Sequence, residues 1–179
     1  MRKYKCLKSN YFKKNGFTLI PIRDEDKYDI MKWRNEQLYH LRQENILTPK
    51  EQDKYFKEVV SVLFSKNKPD QILFSFLKED RCIAYGGLVH IDWNSKSAEI
   101  SFVMDTKLEE SFFVKYWIIF LELIEKAAFL DLNFDKIFTH SYDLRPLLYE
   151  ALKARDFVEE YNSNDGKLNK IRIHVKYNK

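Results

Sequence analysis

The segment Ile100–Phe113, ISFVMDTKLEESFF, decides the fold of this chain because it begins as a β-strand and continues as a helix. Where a strand runs straight into a long helix, many α/β proteins hold a phosphate on the free backbone N–H groups of the helix start. Such turns usually contain glycine, which lets the backbone approach the anion closely. This turn contains no glycine and carries Glu109 and Glu110 instead. Whether a phosphorylated cofactor binds here is therefore the first question that the sequence raises.

The elements around this segment predict a sheet with one crossover. Gln71–Lys78, Cys82–Trp93 and Ser97–Asp105 have the composition of strands and are separated by turn residues, as in an antiparallel meander. The helix that follows, about Phe112–Leu130, is so apolar that we expect it to be buried on more than one side. Because Lys136–Tyr142 is again a strand, the meander passes into a β-α-β crossover and the sheet is mixed.

The rest of the chain supplies further strands and helices. Thr48 and Glu51 have the spacing of a capping box, and Phe56, Val59 and Leu63 are expected on one face of the helix that they start. A turn at Asn164-Asp165-Gly166 is expected to join the last two strands. The other predicted elements are the strand Phe17–Ile22, the helices Glu25–Gln37 and Pro146–Arg155, and the strands Phe157–Tyr161 and Lys170–Tyr177.

Together these elements predict an α/β fold: a central mixed, mostly antiparallel sheet of about seven strands, with helices on both faces. The chain has 179 residues, of which 45% are hydrophobic, so one core and a single domain over 1–179 suffice. Residues 1–16 are expected to form a polar, basic N-terminal extension that is exposed to solvent.

Composition and motifs exclude several classes of protein. The net charge is only +4, and no nucleic-acid-binding motif is present. The most apolar run, Phe112–Leu132, is interrupted by charges, so no membrane span is expected. Cys6 and Cys82 lie far apart and no residues have metal-ligand spacing, which predicts a reduced, cytoplasmic protein without a metal site.

Four short motifs, in this order, resemble the GNAT superfamily of acyl-CoA-dependent N-acetyltransferases over about residues 17–177. Trp33-Arg34-Asn35 is similar to the subgroup that contains ribosomal-protein and amino-sugar acetyltransferases. Ile83–Leu88 (IAYGGL) and Ala98–Phe102 (AEISF) look like the third and fourth strands of the family, and Leu148–Leu152 (LYEAL) looks like its last helix. The motifs are individually degenerate, and only their order and spacing carry the match.

The resemblance implies acetyl-CoA as the co-substrate, but two departures concern its binding. The family's glycine-containing loop for the CoA diphosphate is missing, since no glycine stands between Gly87 and Gly166, and Tyr142 stands where members carry Asn. Thr106 and Glu109 also have capping-box spacing, while Lys107 and Lys115 offer positive charge against the carboxylates. The resemblance implies that the cofactor lies against Val103, Asp105, Thr106, Ser111, Phe112 and Tyr142.

Glu99 is the candidate general base. Acetylating an amine requires that the ammonium lose a proton, because its pKa lies near 10. Strand alternation places Glu99 on one face with Ser101 and Val103, and a carboxylate inside a strand is costly unless it faces a cleft, water or a partner. The alternative is a paired or solvated glutamate on an exposed face of the sheet.

The resemblance assigns the remaining roles. Tyr149 would protonate the departing thiolate, although it also fits a helical core pattern, and the N–H of Val103 would hold the thioester carbonyl. By the same resemblance the acceptor pocket would be lined by Trp33, Arg34 and Asn35; alternatively Trp33 lies in the core and Arg34 in a surface pair. His90 is added to this pocket because it lies on the strand predicted to pair with that of Glu99; the alternative is a structural histidine.

Three functions remain open from the sequence. The first is an N-acetyltransferase for a small-molecule amine, by subgroup likeness an amino sugar or sugar nucleotide. The second acetylates a protein N-terminus or a polyamine. The third is a GNAT-like binding module that has lost catalysis, for which the glycine-free turn is the motive. A homodimer is compatible with the aromatic-rich composition, and neither the acceptor nor the oligomeric state can be derived from the sequence.

Overall fold

The computed structural model describes residues 2–164 and 170–179. Eight strands form one sheet in the order β1-β2-β3-β4-β5-β6-β8-β7. The strands are β1 Phe12–Lys14, β2 Phe17–Pro21, β3 Ile72–Lys78, β4 Arg81–Asp92, β5 Ser97–Met104, β6 Lys136–Tyr142, β7 Val158–Asn164 and β8 Lys170–Tyr177.

The predicted mixed sheet is confirmed, and its pairing creates the site. Every neighbouring pair of strands is antiparallel except β5 and β6, which are parallel. That parallel pairing covers only Ser97–Glu99 against Lys136–Phe138. Beyond these residues the two strands separate, which leaves a fork in the middle of the sheet.

The sheet has eight strands rather than about seven because β1 was not predicted. β1 and β2 form a hairpin around Asn15-Gly16, and both of these residues have positive φ angles (49° and 79°). Asn-Gly between two strands is a strong hairpin signal. The lysines of FKK concealed the strand in the sequence. The predicted turn at Asn164-Asp165-Gly166 falls largely on residues 165–169, outside the described part of the chain.

Helices cover both faces of the sheet. Arg34, on the first helix, bonds Tyr85 on one face, and on the other face Phe120 of the long crossover helix packs on Phe76 and Phe102. None of the described helices is long and apolar enough to cross a membrane. The helices are α1 Lys27–Glu36, α2 Pro49–Tyr55, α3 Ser61–Leu63, α4 Thr106–Glu125 and α5 Pro146–Ala154; π-helical turns follow α2 at Phe56–Val60 and α4 at Lys126–Asp131.

The capping box of α2 is confirmed, but one of its predicted core residues is wrong. Thr48 accepts from the N–H of Glu51, and the carboxylate of Glu51 accepts from the N–H of Thr48. Val60 is fully buried, whereas Val59 is 37% exposed. The π-turn inserts a residue into the helical register, so the face that continues to Leu63 passes through Val60.

Two further predictions are corrected. The extension 1–16 is not exposed to solvent throughout, because Tyr4 is 1% exposed and its hydroxyl bonds both the C=O and the N–H of Leu73. Apolar residues interleaved with the lysines anchor this segment. α4 begins six residues earlier than Phe112, and its N-cap is Asp105, which accepts from the N–H of Lys107, so Thr106 and Glu109 form no capping box.

Candidate active site

The fork between β5 and β6 opens into a cleft with a free volume of about 100 Å³. Here it is called the fork cleft. Its walls come from four parts of the chain: β5 and β6, the segment after α1, helix α4, and the start of α5. It is lined by His40, Leu41, Arg42, Glu99, Ile100, Ser101, Phe102, Trp117, Thr139, His140, Ser141, Tyr142, Arg145 and Leu148.

Glu99 lies where the two strands part. It is 5% exposed and forms an ion pair with Arg42, while His90 Nε2 lies 3.8 Å from its Oε2. Arg42 also reaches His140, with 3.3 Å between Nη1 and Nδ1. Burial raises the pKa of Glu99, and the Arg42 charge partly offsets that rise. Glu99 therefore lines the cleft, as a base would; it is also paired, but it does not lie on an exposed face of the sheet as the alternative interpretation expected.

The α4 side of the fork cleft contains polar side-chain atoms without partners. Trp117 Nε1, Thr139 Oγ1 and Ser141 Oγ are buried and bond no other atom of the described residues. Trp117 and Thr139 are 4% and 3% exposed. Buried polar groups are nearly always satisfied, so three orphans in one cleft indicate a ligand with hydrogen-bonding groups. An extended arm that carries amides, as pantetheine does, fits this lining.

At the start of α4, a cluster that sequence reasoning missed surrounds Glu109. Arg145 forms an ion pair with Glu109, lies 4.4 Å over the Phe113 ring, and approaches His40 with 2.9 Å between Nη1 and Nε2. Burial and the Arg145 charge lower the pKa of His40 to about 3, so the imidazole is neutral. Arg145, rather than Lys107 or Lys115, thus compensates Glu109.

The strand register corrects the predicted role of Val103. The N–H of Asp105 donates to Ile83 O, so Asp105 and Ile83 are a hydrogen-bonded pair of the antiparallel ladder. Because such pairs alternate, Val103 bonds Tyr85 and its N–H points to β4. The N–H groups that face the fork belong to Phe102 and its even-numbered neighbours. Gln37 supports this direction, since it bonds the carbonyl of Met104 from the fork side.

Tyr149 lies outside the fork cleft. Its hydroxyl donates to Asp143 Oδ1 at 2.8 Å, and its ring stacks on His174 with 5.2 Å between centroids. Arg172 lies 4.8 Å from the ring centroid. Burial and the Asp143 carboxylate raise the pKa of the phenol, so Tyr149 keeps its proton.

The other residues that the resemblance implied for the cofactor are dispersed. Of these, Tyr142 lines the fork cleft. Thr106 donates to Glu36 at 2.7 Å, and Asp105 caps α4 and lies 3.6 Å from Arg81. Ser111 and Phe112 are on the exposed side of α4, where Phe112 stacks on Tyr116.

A second opening lies on the face of the sheet opposite α4, and we call it the acceptor groove. It has a volume of about 650 Å³, within the range of small-molecule sites, and meets the fork cleft at Leu41, Arg42 and Ser101. It is lined by Arg34, Leu41, Arg42, Asp70, Gln71, Val89, His90, Ile91 and Ser101.

The predicted acceptor residues divide between this groove and its support. Arg34 and His90 line the groove. Asn35 braces the segment behind it by bonding both the N–H and the C=O of Leu47. Trp33 is 3% exposed and belongs to the core, as its alternative interpretation expected.

Comparisons with known proteins identify a family and a fold. The profile of a family described as "Acetyltransferase (GNAT) domain" matches residues 19–142, more than half of the chain. A crystal structure of spermidine N-acetyltransferase from Vibrio cholerae in complex with CoA and spermine superposes with a TM-score of 0.75 at 16% identity, covering 92% of this chain and 96% of that one. A dodecameric structure of spermidine N-acetyltransferase from the same organism gives 0.70 at 16% identity, covering 92% and 95%. At such identity the likeness shows the fold alone. No curated protein matches the chain in sequence.

Proposed function

This chain belongs to the GNAT family of acetyltransferases, and we propose that it acetylates the primary amine of a small-molecule acceptor. Family membership makes it an acyltransferase that uses acetyl-CoA. The cofactor supplies the acetyl group as a thioester: an N–C bond forms, the C–S bond breaks, the amine loses a proton and the sulfur gains one. The residues of this chain bind the two reactants, orient them and move these protons.

The observation that carries the proposal is a buried carboxylate at the junction of two openings. Glu99 lines the fork cleft, which adjoins the acceptor groove at Arg42 and Ser101. An amine entering from the groove would therefore meet the carboxylate beside the thioester. The raised pKa of Glu99 suits a general base, because a more basic carboxylate takes a proton more readily near neutral pH.

The same geometry supports cofactor binding without a glycine-containing loop. Trp117, Thr139 and Ser141 would bond the amides of the pantetheine arm, and the N–H of Phe102 would hold the thioester carbonyl. Arg145 neutralises Glu109, so the repulsion that Glu109 would exert on a diphosphate is largely cancelled within the protein. Glu110 is exposed, and water screens its charge.

Tyr149 stays a prediction as the acid for the departing thiolate. It holds the proton that the role needs, but the hydroxyl donates to Asp143 and would have to change partner. A Tyr149→Phe variant tests the role: kcat should fall while cofactor affinity is unchanged if Tyr149 acts on the thiolate.

Two acceptor classes follow from different observations. The sequence resemblance favours an amino sugar or sugar nucleotide, through Trp33-Arg34-Asn35. The structural neighbours favour a polyamine, since they include spermidine N-acetyltransferases, one of them in complex with CoA and spermine. An assembly of several copies is also proposed, because one structural neighbour is dodecameric; sedimentation measures the oligomeric state directly.

Incubation with acetyl-CoA and a panel of amino sugars, polyamines and peptides, with release of free thiol as the signal, tests the proposal. We expect acceptor-dependent thiol release that Glu99→Gln abolishes and Glu110→Gln, an exposed carboxylate nearby, leaves intact. If acetyl-CoA raises the Tm but no amine is acetylated, the chain is a binding module. Peptide acetylation alone would favour the N-terminal alternative.

A further inference from the structure

The acceptor groove contains a guanidinium, that of Arg34, to which no carboxylate of the described residues is paired. Arg34 donates from Nε to Gln43 at 2.7 Å and from Nη1 to the hydroxyl of Tyr85 at 2.5 Å. Both partners are neutral, and no carboxylate of the described residues lies within ion-pair distance of Arg34. The side chain is partly buried, so water screens its charge less than that of a surface arginine. Arg34 is therefore poised to bind an anion in the groove.

Among the described residues, the carboxylate that lines the groove and the one at its junction with the fork cleft are both paired. Asp70 Oδ2 lies 2.6 Å from Lys66 Nζ, and the Asp70 side chain is 77% exposed. Glu99 is paired with Arg42, whose own side chain is 44% exposed. Each carboxylate thus has its own cation, and the charge of Arg34 is left over.

This charge balance is less favourable for a polyamine than for an anionic acceptor. A polyamine presents two or more ammonium groups, and at about 6 Å from a guanidinium each meets a repulsion that weakens binding roughly three-fold to hundredfold, depending on screening. Polyamine binding would need free carboxylates along the groove. The charges of this groove favour the opposite: an acceptor that carries a negative group beside its amine.

We propose that the acceptor is a primary amine that also carries a phosphate or carboxylate group, and that Arg34 binds this group. Arginine suits the task because its planar fork bonds two oxygens of such an anion at once. Arg42, the exposed member of its ion pair, lies at the junction and is the second cation that the anion would reach. The proposal rests on the acetyltransferase function and adds the substrate class.

A matched pair of acceptors tests the proposal: glucosamine 6-phosphate and glucosamine differ only in the anion. With saturating acetyl-CoA, we expect kcat/KM to be at least tenfold higher for the phosphorylated amine. Arg34→Met, which keeps an unbranched apolar stem but no charge, should remove this preference, and Arg34→Lys should keep part of it. Lys32→Gln, an exposed cation on the same helix, should leave the preference unchanged. Muramic acid, an amino sugar that carries a carboxylate, tests whether a carboxylate can replace the phosphate. Glutamine is a poorer probe of the carboxylate, because it reports only if its α-amine is accepted.

A binding measurement separates this inference from the proposed function. Glucose 6-phosphate lacks the amine, and it should raise the Tm of the wild-type chain and of Lys32→Gln but not that of Arg34→Met. If spermidine or unphosphorylated glucosamine is acetylated better than both anionic amines, the inference fails while the acetyltransferase function stands. If no amine is acetylated, the proposed function fails. An Arg34→Met variant that keeps the phosphate preference would also overturn the inference.

Discussion

Two arginine–glutamate pairs lie on the two sides of the fork, and they differ in exposure. Arg145 and Glu109, at the start of α4, are 12% and 17% exposed at their side chains. Arg42 and Glu99, at the junction with the acceptor groove, are 44% and 6% exposed. A pair buried on both sides is costly to open, whereas a pair with an exposed arginine can exchange its partner with water or a ligand. We infer that the first pair sets the charge of the cofactor side and the second can open during the reaction.

The largest expected effect comes from removing the carboxylate of the second pair. Glu99→Gln keeps the size of the side chain but cannot accept the amine proton, and loss of a general base typically lowers kcat by about 10²–10⁴. Glu110→Gln, at an exposed position, should keep full activity. A Glu99→Gln variant within about threefold of wild type would show that Glu99 is structural.

The next largest effect tests whether Arg145 compensates the charge of Glu109 at the cofactor side. Arg145→Ala leaves Glu109 uncompensated, so the dissociation constant of acetyl-CoA measured by calorimetry should rise about tenfold to hundredfold. Glu109→Gln should tighten binding or leave it unchanged, and the double variant should recover most of the loss. If the double variant binds as weakly as Arg145→Ala, Arg145 acts on the cofactor directly and not through Glu109.

These two pairs also mark the limit of what the sequence predicts. Glu99 was found because strand alternation is local, and the β-α-β crossover was found from periodicity. Arg42 and Arg145 were missed because they meet their glutamates across 57 and 36 residues of sequence, and the arginines lie in loops without periodicity. The sequence contains one weak signal: Arg145 precedes Pro146 as the N-cap of α5, a position that an arginine cannot cap.

The residues assigned by resemblance show the same contrast between what local sequence predicts and what distant contacts decide. Val103 was placed correctly on its strand, but the direction of its N–H depends on which partner pairs form hydrogen bonds, and that is decided by Ile83 on another strand. The start of α4 moved from Phe112 to Thr106 because a short polar turn of helix has little hydrophobic periodicity. Local pattern predicted the elements, whereas contacts distant in sequence decided the site.

A smaller effect tests whether Arg42 lowers the pKa of Glu99. Glu99 must be ionised to accept a proton, so kcat/KM should fall as the pH drops through its pKa, which burial raises above the ordinary glutamate value. Arg42 opposes that rise, and therefore Arg42→Ala should move the acid limb of the pH profile to higher pH. Arg81→Ala, an exposed arginine away from the fork cleft, should not move it. An unshifted limb in Arg42→Ala would contradict the coupling.

The smallest effect concerns His40, which borders the buried pair. The pKa of His40 is lowered to about 3 in the folded chain. As the pH falls below about 6.5, the unfolded chain therefore binds a proton at His40 that the folded chain does not bind. The contribution of His40 to stability is therefore complete above about pH 6.5 and is lost as the pH falls from there toward 3. His40→Asn should reduce the fall in Tm between pH 7 and pH 5 by a few degrees. An equal pH response in wild type and His40→Asn would mean that His40 is free to take up its proton, and the cluster around Glu109 would then be as open to solvent as the pair at the junction.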